Sequence, residues 1–153
     1  MANLVTDFGE EFTQDLVVNS GETIDYGLYL DTDGPGTPTA GDDVVDGSDL
    51  GTITTEPSGS NFSRQSVSAS NLSASLDGSN NVVLSTPTLT FDVSDSTQNV
   101  NAVFAVVNYQ SDLVASDGSQ TDHLYYTAYL SSQNDLSTFN STVDVNPVDL
   151  TLD

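Results

Sequence analysis

Arg64 is the only basic side chain in a chain of 153 residues that holds 23 acids and a formal net charge of -22. The chemistry such a guanidinium does best is a charge-assisted, often bidentate hydrogen bond to a carboxylate. Glu56 lies just upstream, across a turn marked by Pro57 and Gly59, and is the simplest partner. We expect Glu56 and Arg64 to bracket that turn with Phe62 packed beneath them. This would be a structural clasp whose hydrogen bonds outlast molar salt. The competing reading is that Arg64 faces an acidic neighbouring subunit.

The remaining residues able to do chemistry are few. There is no Cys, the single cation leaves no Lys, and His123 is the lone histidine. That inventory leaves few nucleophiles or bases poised near neutral pH. His123 follows Asp122 in a polar turn and reads as a surface or strand-start residue. Paired carboxylates can hydrolyse glycosides, but no pair stands out from the general acidity, so no enzymatic activity is expected. Asp31, Asp33, Gly36 and Asp42 fall at positions one, three, six and twelve of an EF-hand-like loop. The match departs at Pro35 and at Asp42, where the loop would need a bidentate Glu, and its flanks read as strand and coil. Two readings stand, an incidental match in an acidic loop or a weak Ca²⁺ or Mg²⁺ site over 31–42, with no other cofactor expected. Sequons at Asn61, Asn71 and Asn140 are no more frequent than chance in a chain so rich in Ser and Thr.

Charge bounds the partners. Nucleic-acid affinity rests on cations that neutralise phosphates, and one Arg cannot supply them; an anionic membrane surface is excluded for the same reason. Self-repulsion of this size destabilises a compact state. At molar salt the Debye length falls to about 3 Å and the repulsion is screened. Scarce Lys, abundant Asp and a hydrophobic fraction of 36 % fit a halophilic, haloarchaeal origin. The N-terminus has no basic region followed by an apolar one, and no run of about 18 apolar residues could cross a bilayer. We therefore expect a soluble chain made in the cytoplasm. Without Cys no disulfide can form.

These residues need elements to hold them. Leu4, Val5, Phe8, Phe12 and Leu16 recur at helical spacing, which predicts one short helix within 4–18. From Thr23 the period becomes two, with Ile24, Tyr26, Leu28 and Leu30 on one face. An acidic loop over 31–51 follows, longer than ordinary connections. Strands are expected through Val67 to Leu72, over 82–93 with an edge position or an interruption at Pro87, over 100–109 as a central strand apolar on both faces, over 123–131, and over 142–153 with an edge or bulge at Pro147. About seven strands and one helix predict a mainly β fold, an antiparallel, jelly-roll-like β-sandwich forming a single domain over 1–153.

Several of these segments together resemble a known family. Gly27-Leu28-Tyr29 is similar to its "GLF" strand, Thr37-Pro38 to its variable Thr-Pro loop, Leu50 to Pro57 to its "DLTEP" segment, and Phe62 to Gln65 to its "YARQ". The family comprises short virion structural proteins of tailed phages and haloarchaeal tailed viruses. Pro87 to Phe91 and Ala102 to Val107 resemble its later strands more loosely, and the chain departs after Gln110. The resemblance implies a non-enzymatic virion component assembled in the host cytoplasm, homo-oligomeric and in contact with other capsid or tail subunits. A turret or decoration subunit on the capsid is the first expectation and a tail component the alternative. A cell-surface domain and an acidic DNA mimic are the rivals outside the virion.

The charge makes a direct prediction. Dialysis from multimolar KCl into dilute buffer should abolish the β-type circular dichroism spectrum, and a spectrum retained at low salt would remove the halophile reading.

Overall fold

The computed structural model describes residues 4–5, 23–78, 82–109 and 121–152. The strands are β1 (Leu4–Val5), β2 (Thr23–Tyr29), β3 (Gln65–Ser68), β4 (Ser73–Leu76), β5 (Val82–Ser85), β6 (Leu89–Asp92), β7 (Asn99–Tyr109), β8 (Thr121–Asp135), β9 (Thr142–Val145) and β10 (Asp149–Leu152). Short 3-10 turns occupy Leu50–Thr52, Ala69–Asn71 and Leu136–Thr138. The fold is mainly β, and every strand pair is antiparallel. Among the described residues no helix is long and apolar enough to cross a membrane.

The sheets run β1-β8-β7-β2-β3, β10-β5-β4 and β6-β9. The near-continuous apolar run of β7 reflects burial on both of its faces. Val103, Ala105 and Val107 join Ile24, Tyr26 and Leu28 in the main core, which also takes Leu89 and Phe91 from β6, Val145 from β9 and Leu150 from β10. Ala102, Phe104 and Val106 point the other way, to a smaller core with Tyr29 and Leu124, closed by Val44, Leu50 and Ile53 from the long loop. One face of the large sheet is thus covered by the small sheets and the other by the 31–55 segment.

Strict alternation would send Tyr125 and Tyr126 to opposite faces, yet both lie in the main core. A bulge resolves this. The pairing with β7 steps from Ala105↔Tyr126 to Val106↔Leu124 and passes over Tyr125.

Pro87, expected at an edge or an interruption, and Pro147, expected at an edge or a bulge, turn out to share one interruption. β5 pairs with β10 and β6 with β9 in a single unbroken register, from Val82↔Leu152 to Asp92↔Thr142. Pro87 and Pro147 fall opposite one another in that register. Neither has an N–H to give, so the ladder divides there. The gap is bridged by Thr86 N to Val148 O at 3.0 Å and by Val148 N to Thr86 Oγ1 at 2.9 Å.

The helix expected over 4–18 is corrected at its start. Leu4–Val5 is a strand that pairs with Tyr126 and Thr127 of β8, because the open edge of the long β8 satisfies its backbone groups. The rest of that expectation, from residue 6, lies outside the described residues. The strand expected through Val67 to Leu72 is also cut short, by the turn at Ala69–Asn71.

Buried tyrosines give the fold a pH limit. Tyr126 donates to the hydroxyl of Tyr26 at 3.2 Å, and burial pushes both phenols well above their ordinary range, as it does Tyr29. Burial, with the nearby Asp31 charge, pushes Tyr129 up to about 12. A raised acid is favoured neutral in the fold. Its stabilisation is complete below the unfolded value of about 10 and is lost as pH rises through the folded one. At high salt, stability should therefore fall from about pH 10 upward, with phenolate absorbance and loss of the β spectrum rising together. Titration of all six tyrosines near pH 10 with the fold intact would contradict this burial.

Candidate functional site

Glu56 and Arg64 meet head-on. Arg64 Nε donates to Glu56 Oε1 and Nη2 to Oε2, both at 2.8 Å, a planar two-pronged pair. It is half-buried, with 29 % of the Arg64 and 25 % of the Glu56 side chain exposed. The Glu56 hydrogen bonds are the main reason the guanidinium is held even more firmly protonated than usual. The ring beneath it is Phe104 of β7, whose centroid lies 5.0 Å from Arg64 Cζ, within cation–π range. Phe62, expected in that place, instead stacks on Phe91 at 5.8 Å, with 10° between the ring planes.

Gly27 makes the arrangement fit. A Cβ there would stand 2.4 Å from Phe104 Cζ and 2.9 Å from Glu56 Oε1. The glycine in mid-strand is needed for close approach rather than for an unusual backbone.

The residues just before Glu56 fasten the long loop. Thr54 N and Thr55 N both donate to Asp42 Oδ2 at 3.0 Å, Thr54 Oγ1 donates to Oδ1 at 2.6 Å, and Thr55 Oγ1 donates to Oδ2 at 2.8 Å. Leu30 N in turn donates to Thr55 Oγ1 at 2.8 Å. At the other end of the loop Asp31, 1 % exposed, accepts from Tyr29 Oη at 2.9 Å, Asp33 N at 2.8 Å and Tyr129 Oη at 3.2 Å. Asn101 clamps the same backbone, accepting from Asp31 N at 2.7 Å and donating to Asp31 O at 2.8 Å and Pro35 O at 3.1 Å. The two carboxylates that would begin and end an EF-hand-like loop are thus turned inward onto protein donors. Among the described residues no group of three or more His, Cys, Asp or Glu is placed to hold a metal.

The turn between Glu56 and Arg64 is sewn to the 92–98 segment. Asp95 accepts from Ser60 Oγ at 2.7 Å and from Asn61 N, and Gln98 Nε2 donates to Ser58 Oγ at 2.8 Å. His123 Nε2 lies 3.0 Å from Thr121 Oγ1 on the same face of β8.

The chain matches no protein-family model, no curated protein sequence and no solved structure. Geometry therefore carries the functional reading. The cluster of Gly27, Glu56, Arg64 and Phe104 holds strands and loops together, and its polar groups are engaged with one another. Sequence reasoning paired Glu56 with Arg64 but missed Gly27, Phe104 and Asn101. Asn101 had left a signal, as the polar residue inside the apolar run from Val100 to Val107.

Replacing Arg64 tests the cluster. The pair lies between exposed pairs, measured at about 0–1 kcal/mol, and buried ones, whose breakage costs about 3–5 kcal/mol. Arg64→Gln should then destabilise by about 2 kcal/mol in multimolar KCl, and Gly27→Ala, which displaces Phe104, by about 1–3 kcal/mol. A loss below about 0.5 kcal/mol for Arg64→Gln in chemical denaturation would remove its structural role.

Proposed function

We propose that this chain is a non-enzymatic structural subunit of a haloarchaeal tailed virus, seated on the capsid as a turret or decoration protein. The observation that carries the reading is convergence. The segments that resemble the virion family most closely are spread over 27–65, yet Gly27, Glu56 and Arg64 meet over Phe104, and Thr54 and Thr55 fasten the adjoining loop through Asp42. Chemistry directed at holding backbone in place suits a part that acts through its surface.

The finer architecture belongs to the same reading. The main core gathers side chains from all three sheets, as a jelly-roll-like sandwich would. Copies of such a domain assemble around symmetry axes and against other capsid subunits, and high salt screens their mutual repulsion.

Mass spectrometry of purified virions should find the chain in stoichiometric amount, and separated heads should retain it. Recovery with tails would move it to the tail, and absence from particles would overturn the reading.

A further inference from the structure

The chain contains four Asp-Gly steps, at 33–34, 46–47, 77–78 and 117–118. Such steps are open to backbone rearrangement, because a glycine brings no side chain to hinder attack by its nitrogen on the aspartyl carboxyl. Whether a given step rearranges is decided by how firmly the fold holds it. Asp77 is not free and its glycine adjoins residues outside the described ones, where the fourth step also lies. The first two steps are described throughout, and the fold treats them in opposite ways.

Asp33–Gly34 is locked. Asp33 N donates to Asp31 Oδ1 at 2.8 Å, and Gly34 N donates to Asp31 O at 3.3 Å. Gly34 is buried, and a Cβ on it would stand 2.4 Å from Asn101 Nδ2. The nitrogen that would attack is committed to a carbonyl, and Asn101 is packed against the residue that would have to turn.

Asp46–Gly47 is open. It forms the middle of the turn from Val45 to Ser48, closed by Ser48 N to Val45 O and by Val45 N to Ser48 Oγ, both at 3.0 Å. Gly47 has a left-handed φ of 82°, which suits glycine in a turn. Asp46 and Gly47 are exposed, and a Cβ on Gly47 would have nothing within 4 Å. Among the described residues, no hydrogen bond holds the Asp46 carboxylate or the Gly47 N–H.

We propose that Asp46–Gly47 is a modification site, at which the folded chain converts aspartate spontaneously to isoaspartate. The Gly47 nitrogen attacks Cγ of the protonated Asp46 carboxyl. Its N–H proton and the carboxyl hydroxyl leave as one water, closing a succinimide ring. Water then opens the ring at either carbonyl. One opening restores aspartate. The other leaves the backbone running through Cγ, one methylene longer, with the former α-carboxyl as the charged group. Mass and net charge are unchanged once the ring has opened.

The fold accommodates that insertion. On one side Asp42 is bonded to Thr54 and Thr55, and on the other the Leu50–Thr52 turn follows. Val44 and Leu50 seat both flanks in the smaller core. Between them Val45, Asp46, Gly47 and Asp49 are exposed, so the extra methylene is taken up where change is best tolerated. The proposal rests on this turn alone and stands whether or not the chain is found in virions.

The test is prolonged warm incubation of the full chain in multimolar KCl, followed by peptide mapping. Electron-transfer fragmentation separates isoaspartate from aspartate at equal mass, and an endoprotease that cuts before Asp skips the rearranged residue. Isoaspartate should accumulate at residue 46 at least about tenfold faster than at residue 33, where two hydrogen bonds on the step must first open. In guanidinium chloride the two rates should converge, because the difference belongs to the fold. Asp46→Glu, which keeps the charge but needs a larger ring, should abolish the product. Asp46→Asn should accelerate it, with ammonia leaving in place of water. Both variants should keep the melting temperature. Absence of isoaspartate at residue 46, equal rates at 46 and 33 in the folded chain, or a difference that persists in guanidinium chloride would overturn the proposal.

Discussion

A carboxylate that leaves water in this chain has almost no cation to meet. With one Arg among 23 acids, any buried Asp beyond the first pairing has to be satisfied by neutral donors or carry the cost of an unpaired charge. Asp31 and Asp42, 1 % and 6 % exposed, show the solution. One is held by two tyrosine hydroxyls and an amide, the other by two threonine hydroxyls and two amides. Such bonds do not dissolve in concentrated salt as long-range charge attraction does. The abundance of Thr and Tyr near buried acids is then a structural necessity of a nearly cation-free composition.

Following these bonds outward explains the rest of the molecule. The fastened 31–55 segment covers one face of the large sheet and closes the smaller core with Val44, Leu50 and Ile53. Its far end delivers Glu56 to Arg64 above Phe104. Its near end, through Asn101, pins the place where β8 parts from β7. A loop that composition alone marks as long and acidic thus sets the shape of the sheet beneath it.

Much of this was legible because it is local. Alternation in Ile24, Tyr26 and Leu28, the near-continuous apolar run of β7, and a disturbance of pairing at Pro87 and at Pro147 all follow from neighbouring residues. The pairing of Glu56 with Arg64 was legible for a different reason, the scarcity of alternatives. Partnership across distance was not. Nothing near Phe62 reveals that Phe91 would take it and leave Phe104 for the guanidinium. Nothing in 82–92 announces 142–152 as its partner. The metal-like spacing of Asp31, Asp33 and Asp42 misleads for the same reason, since the donors that claim Asp31 and Asp42 include Tyr129 and Thr54, distant in sequence.

The facing prolines have a consequence for how the chain finds its fold. Two stretches separated by some fifty residues must align, and a strand sliding past its partner can stop at a wrong rung. In the native alignment both missing N–H groups fall on one rung, so the ladder is interrupted once. Any slip places Pro87 and Pro147 on different rungs, and each then leaves a carbonyl opposite it without a donor. The pair works as an index mark. It penalises misalignment in either direction, and a polar, serine-rich sequence with weak side-chain discrimination gains from having such a mark.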